Sequence, residues 1–580
     1  MNEFNSSHPS LTKKIFNARS LENLPFHLYQ VPYANIGTVL EHQVSMHRDK
    51  PWCIFYSDLS VVVDENGRSE ITYGEFYERV GKTVNYLLQN GIRRGDKVAT
   101  ISFNHLDTVV QYFAIWTIGA VAVPINIGED DVRIEYILSN SETKLTFVRE
   151  HYLQRIETLV ESSSSLMEKI KLVRVGNSQV IQTKKEYELF ETQISNLQPP
   201  IILKETPTLD DEALIVYTSG TTGLPKGVVL VQYNLLIDAK EISSWHKLTS
   251  EQRMMCVLPL HHVNGIIVTL LTPLYAGASV VLNQKFHSNK FFERVKNENV
   301  NIVSVVPTLL QFLLHEHSHD VVVDVPSLQH IICGAGPLTV ELAIKFEERF
   351  HVPIMHGYGL SETTCYSCFL PVDLSNEEHT YWLKDFGFPS IGVPIPCNEM
   401  AIHDENGNEM REGEKGEIVI RGHNVMKYYF QNDEVNEKTF AFNWFRSGDE
   451  GFYKLDEKGR KFFFITGRLK ELIIRGGSNI SPFAIDEVLM NIEGVAAGLA
   501  VGFENDWYGE EVGAYVKLKE GVSLSEKEIM LHCRKHFSFS ISPKVIVFGN
   551  DIPVTSTGKY QRNKLKPLFE KWKSVQFKKK

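Results

Sequence analysis

The sequence predicts an α/β protein: a large N-terminal domain, residues 1–469, of mainly parallel sheets covered by helices, and a small α+β domain over 470–580. Three observations predict it. At 580 residues the chain exceeds what one hydrophobic core organises. Short β-branched runs alternate with helical periods through most of its length, the pattern of parallel strands buried on both faces. Near Gly467 the character changes, and the roughly 110 residues beyond suffice for a second, smaller core.

The elements follow in order. Residues 1–50 are poorly patterned and are expected to wrap the surface. Thr72 can cap a helix whose Phe76, Val80, Val84, Leu87 and Leu88 share a face. Lys97–Phe103 reads as a strand, Val109–Ile118 as an apolar helix and Ala120–Ile125 as another buried strand. Polar sequence over 162–211 reads as surface connection. Further strands are expected at Met254–Leu258, Ala278–Leu282, Ile302–Val306, Ile331–Cys333 and Val352–Met355, with ligand loops at their carboxyl ends. In the small domain a helix (Ile485–Ile492), two strands (Ala497–Phe503, Val512–Leu518), a helix (Glu526–Phe537) and a strand (Val545–Phe548) follow a hinge placed at Lys470.

Composition narrows the function classes. A formal net charge of −11 argues against a nucleic-acid surface. Seven cysteines, among which Cys365 and Cys368 come closest to metal-site spacing with no second pair to complete a zinc site, suggest reduced thiols and a cytoplasmic protein. Met1–His8 has no signal-peptide character. Val263–Leu282 carries no formal charge, but Asn264, Gly265, Pro273 and Gly277 make it a buried helix, a turn and a strand rather than a membrane span. The tract His315-Glu316-His317-Ser318-His319 reads as a solvated helix end.

Ile215 to Leu230 is the most informative stretch: two apolar runs flank Thr218-Ser219-Gly220-Thr221-Thr222-Gly223-Leu224-Pro225-Lys226-Gly227. Glycines allow close backbone approach, and hydroxyls with one ammonium suit an anion. A Walker loop is excluded because Gly227, not a hydroxyl residue, follows the lysine. A plain hairpin turn needs about two to five residues, and this one is longer; a phosphate-binding loop is expected.

The stretch resembles the signature of the adenylate-forming superfamily, which includes acyl-CoA synthetases, coumarate–CoA ligases and stand-alone adenylation domains. Further motifs in family order extend the resemblance from Ile71 to Lys559. Pro259-Leu260-His261-His262-Val263-Asn264-Gly265 resembles the family's P-x-x-H-x-x-G segment, which implies that His262 and Val263 stand beside the acyl group. It offers no carboxylate for a substrate ammonium, so an acid without an α-amino group is expected. Cys333-Gly334-Ala335-Gly336 resembles the adenine-binding strand end, with Gly334, Gly336 and Gly359 also bordering the acid. In Gly357-Tyr358-Gly359-Leu360-Ser361-Glu362 the resemblance implies that Tyr358 packs on adenine, Ser361 meets the α-phosphate, and Glu362 with Thr218 holds Mg2+. Asp449, in Ser447-Gly448-Asp449, would accept from the ribose hydroxyls, and Arg468 would add a ribose or phosphate contact. Lys559, in Thr555-Ser556-Thr557-Gly558-Lys559, would be the adenylation lysine.

The resemblance implies a multi-subdomain large domain and a small domain that is mobile about Lys470. It also implies two half-reactions. A carboxylate attacks the α-phosphate of ATP, with Lys226 and Lys559 balancing charge. The small domain then turns, withdrawing Lys559 and presenting Gly476 and Gly477 to the thiol of coenzyme A. A carrier-protein phosphopantetheine acting in trans is the alternative acceptor. The place of Asn376–Ile391, with Trp382, Phe386 and Phe388, is not set by the sequence.

Overall fold

The computed structural model describes residues 9–58, 67–166, 169–176, 183–199, 203, 205–218, 224–317, 323–554 and 560–578. Four sheets organise them. In the first, of nine strands, Ile354–Tyr358, His330–Cys333, Ile302–Val305, Arg253–Cys256, Ser279–Asn283 and Pro51–Tyr56 are successive parallel neighbours, and antiparallel strands close both edges. In the second, of seven, Glu212–Thr218, Val121–Ile125, Lys97–Ile101, Thr143–Arg149 and Lys171–Val175 run parallel. Lys226–Val231 folds back antiparallel onto Glu212–Thr218. The strands are near-continuous apolar runs because helices cover both faces, as at fully buried Val121–Ile125.

The expected strands and the capped helix are present. Thr72 caps Tyr73–Gln89 through a capping box with Glu75. Residues 263–282, expected as helix, turn and strand, form a buried π-helical turn (Asn264–Leu271), a short helix (Thr272–Ala276) and the strand Ser279–Asn283.

Two expectations are corrected. Within 1–50, the helices Pro9–Ala18 and Ile36–His47 bury Leu11, Ile15, Ala18, Ile36, Val39 and Leu40 in the main core. Leu11, Ile15 and Ala18, and likewise Ile36, Val39, Leu40 and Val44, recur at helical spacings of three and four, so each helix carries one narrow apolar stripe, which is enough to pack on the main core. Within 162–211, Lys171–Val175 is the edge strand of the seven-stranded sheet and Phe190–Ser195 a short helix under it, with Phe190 buried. An edge strand faces water on one side and so reads as polar sequence.

The third sheet, of four antiparallel strands (Asn398–His403, Gly416–Gly422, Phe445–Leu455, Lys461–Arg468), has no counterpart in the expectations. The fourth is the small C-terminal α+β unit. Val495–Asn505 and Gly509–Leu518 pair at its centre, Val545–Phe548 lies parallel to the latter, and the hairpin Ile473–Ile480 hangs at the edge. Its helices Pro482–Met490 and Glu526–His536 bury Ile485, Leu489, Ile529 and Cys533 in a core of its own. Among the described residues no helix is long and apolar enough to cross a membrane.

Candidate active site

Three strand ends from three sheets converge. At the end of the seven-stranded sheet, Thr218 and Lys226 face each other across the hairpin. Ser219–Gly223, the centre of the expected phosphate loop, lies outside the described residues. The chain returns two hundred residues later as Tyr428–Tyr429, pairing with Val228–Val229, and the Met426 N–H donates to the Glu362 carbonyl at 2.8 Å. Tyr429 thereby joins two expected site residues: its hydroxyl donates to Glu362 Oε1 at 2.5 Å, and its ring lies 5.1 Å from Lys226 Nζ. Burial lowers the Lys226 ammonium, nearby Lys470 lowers it further, and Glu362 opposes both. Two cations therefore share one basin with a carboxylate, an arrangement that suits a polyanion with a cation bridging to it.

The wall beside this basin is built on Asp449, whose surface is only 2% exposed. Antiparallel register places Asp449 opposite Arg468, and Arg468 Nε lies 3.3 Å from Asp449 Oδ1. The Tyr358 hydroxyl donates to Asp449 Oδ2 at 2.7 Å. Burial, reinforced by the Asp449 charge, holds the Tyr358 phenol well above its ordinary range, so it stays a donor. A carboxylate accepts about four hydrogen bonds, so two protein donors leave capacity for a diol. Ser361 opens a single 3-10 turn, Ser361–Thr363, that carries Glu362. Thr364 follows at φ +65°, and the Cys365 N–H closes a tight turn onto the Thr363 carbonyl at 2.7 Å. A β-branched residue there is strained, and such strain concentrates at functional sites.

Close backbone approach explains the glycines on the third side. A Cβ on Gly334 would stand 2.6 Å from the Tyr366 hydroxyl, and one on Gly359 would stand 2.0 Å from the Cys365 carbonyl. Asn264 Nδ2 donates to Tyr366 Oη at 3.3 Å, and Ser304 Oγ donates to Asn264 Oδ1 at 2.9 Å. Val263 is buried, and His262 lies two residues before the π-helical turn, its carbonyl accepting from the Ile266 N–H. The adjacent His261 lines a cleft of 1550 Å³ between the large and small domains. Its Nε2 is buried with no hydrogen-bond partner among the described residues, and burial pushes the ring down to about 4. In the tract 376–391, Trp382 stacks on Phe462 at 3.8 Å in a satellite core against which Phe386 and Phe388 both pack, and Phe388 also lines a second cavity with Gly336 and His356.

The small domain closes over this side. Tyr560 lines the second cavity with Pro307, Gln311 and Gly336, and bridges Val554. Lys559 itself lies outside the described residues. Gly476 and Gly477 form the exposed two-residue turn of the edge hairpin, at φ +56° and +84°, and line neither cavity. Lys470 is an exposed turn residue at the junction. Sequence reasoning missed Tyr429, Tyr366, Asn264 and His261. Only the last two sat inside a recognised motif, and nothing local marks the tyrosines.

A further contact joins the domains: Glu487 Oε1 accepts from the Val340 N–H, at the start of helix Val340–Phe350, at 2.9 Å. Burial pushes the Glu487 carboxyl up to about 7, against the pull of the Glu341 and Val340 amides. A pKa raised on docking means the contact is fully favourable below the ordinary carboxylate range and weakens as pH rises towards about 7. Interdomain distance measured by a donor–acceptor dye pair should therefore shift towards the undocked value from about pH 5 to about pH 7. In Glu487→Gln, which keeps the acceptor and has no proton to lose, that shift should vanish. A shift of unchanged size in the variant would assign it to another group.

Comparison with known proteins agrees with this layout. The AMP-binding enzyme family matches over residues 40–430, and the AMP-binding enzyme C-terminal domain over 484–559. The oxalate–CoA ligase of Arabidopsis thaliana is 31% identical over 500 residues, 86% of this chain and 93% of that protein. The sulfoacetate–CoA ligase of Cupriavidus necator is 28% identical over 516 residues, 88% and 95% of the two chains. The crystal structure of an anthranilate CoA ligase with anthranoyl-AMP superposes with a TM-score of 0.81 at 24% identity, covering 93% of this chain and 98% of the other. With both family domains matched in order on a fold of this kind, the chain belongs to the AMP-binding enzymes.

Proposed function

We propose that the protein is an acid–thiol ligase: it activates a carboxylic acid with ATP to an acyl-adenylate and transfers the acyl group to coenzyme A. The observation that carries the reading is one basin bordered by Asp449, Tyr358 and Arg468 on one side and by Lys226, Tyr429 and Glu362 on the other. The relatives named as oxalate– and sulfoacetate–CoA ligases support coenzyme A as acceptor. The segment His262–Gly265 itself carries no carboxylate and turns Asn264 to the Tyr366 hydroxyl, which favours an acid without an α-amino group.

Tyr358 packs on adenine and Asp449, held by Tyr358 and Arg468, accepts from the ribose hydroxyls. Thr218 and the 219–223 loop cradle the phosphates, with Lys226 balancing their charge. Ser361 meets the α-phosphate. A single carboxylate, Glu362, with Thr218 would hold Mg2+, which would supply charge neutralisation to the phosphates. The acid lies among His262, Val263, Gly334, Gly336 and Gly359. One carboxylate oxygen attacks the α-phosphorus, the bond to the β-phosphate oxygen breaks, and pyrophosphate leaves as Lys559 stabilises the developing charge.

The small domain, taken to begin at Lys470, then turns. Gly476 and Gly477 replace Lys559 at the acyl centre. The sulfur bonds to the acyl carbon, the carbon–oxygen bond to phosphate breaks, AMP leaves and the thiol proton passes to solvent. Free, buried thiols at all seven cysteines support a cytoplasmic location.

Incubation with ATP, a panel of acids and either coenzyme A or a phosphopantetheinylated carrier protein, read by product mass, tests the reading. An acyl-CoA and AMP are expected. Acyl transfer to the carrier alone would reassign the acceptor, and absence of pyrophosphate release with every acid would overturn adenylate formation.

A further inference from the structure

The hairpin that carries Gly476 and Gly477 is small and weakly attached. Its strands, Ile473–Arg475 and Ser478–Ile480, have three residues each, and a single register pair, Arg475 with Gly509, joins it to the sheet. Isolated hairpins of this size have little stability of their own. Ile473 and Ile480 bury its root, but Ile474 is 53% exposed and the turn faces solvent. Two consecutive glycines with positive φ permit the tight turn without fixing where it points.

What holds the turn end is a buried charge cluster. Arg475, immediately before the turn, donates from Nε to Glu511 Oε1 at 2.6 Å and stacks its guanidinium 3.9 Å from the Tyr508 ring centre. The Tyr508 carbonyl in turn accepts from the Gly476 N–H at 2.8 Å. Glu511 is wholly buried and is shared by a second cation: Lys544 Nζ lies 3.2 Å from the same oxygen and donates to the Ser542 carbonyl at 2.6 Å. Burial pushes the Lys544 ammonium down to about 8, although Glu511 supports its charge. A buried ionic cluster is a poor source of stability compared with apolar packing of the same volume, while it does restrict geometry. Here the geometry it restricts is that of the glycine turn.

We propose that Glu511 is a positioning residue for thioester formation: by gripping Arg475 against the Lys544-anchored floor, it fixes the direction of the Gly476–Gly477 turn. The proposal rests on the reading that this turn serves the thiol half-reaction. Misplacing a reacting geometry by about 1 Å is worth up to roughly a hundredfold in rate. Glu511→Gln keeps the shape and removes the charge that both cations need.

The two half-reactions are measured separately, adenylate formation as ATP–pyrophosphate exchange and thioester formation from supplied acyl-adenylate and coenzyme A. In Glu511→Gln, exchange should stay within about twofold of the parent while thioester formation falls about ten- to hundredfold. Arg475→Lys, which leaves the Glu511–Lys544 pair in place and so guards against a folding defect, should show the same split in smaller degree. Thioester formation unchanged in both variants, or an equal fall of both half-reactions in Arg475→Lys, would overturn the proposal. Failure of the unsubstituted enzyme to make any CoA thioester would instead overturn the reading beneath it.

Discussion

Lys559→Ala should abolish measurable adenylate formation while sparing thioester formation from a supplied acyl-adenylate. The reason is charge placement. Adenylation concentrates negative charge on a pentavalent phosphorus, and a preorganised cation there contributes about 10²–10³ in rate. Thioester formation disperses charge as AMP leaves and has no need of a cation at that point. The residue after Lys559, Tyr560, lines one cavity with Pro307, Gln311 and Gly336, on the side of the glycine strand end. ATP–pyrophosphate exchange and single-turnover thioester formation, measured on one preparation, separate the two. Equal loss of both half-reactions would remove Lys559 from the role given to it.

The second large effect belongs to Asp449. Asp449→Asn should lower kcat/KM for ATP by about 10–100-fold, the worth of one hydrogen bond to a charged acceptor at roughly 1.5–3 kcal/mol. The loss should fall mainly on KM for ATP and leave KM for the acid near its parent value, because the proposed function puts Asp449, with its partners Tyr358 and Arg468, on the nucleotide side. The substitution keeps the volume and so opens no cavity. An amide in place of the carboxylate also turns a donor towards either Tyr358 or Arg468, which weakens the wall itself. A variant with lowered thermal stability and an unaltered KM for ATP would show that Asp449 merely pins two strands.

The legible part of the site was its set of loops. Small and hydroxyl residues leave a mark in sequence because few other residues allow the backbone to come so close. A Cβ on Gly334 or Gly359 would collide with neighbouring atoms. Asp449 and Arg468 were legible through motifs of their own, and antiparallel register then set them face to face. Tyr429 was not legible. It sits in a two-residue strand with no motif around it, and its contact to Glu362 spans 67 positions. Glu511 was silent for the same reason: a lone acidic residue beside another reads as surface, and only the sheet reveals that it is fully buried between two cations.

By itself, the sequence determined the alternating strands and helices, the second core beyond Gly467 and the glycine- and hydroxyl-rich segments for which a phosphate role is proposed. Each of these rests on local chemistry: periodicity, backbone freedom and capping act within a few residues. The tertiary structure alone decided that helices near the N-terminus belong to the main core, that Tyr429 ties Glu362 to the Lys226 strand, and that a buried triad grips the glycine turn. Those relations come from packing and desolvation, which depend on residues far apart in the chain meeting in one place, and no local pattern encodes that meeting.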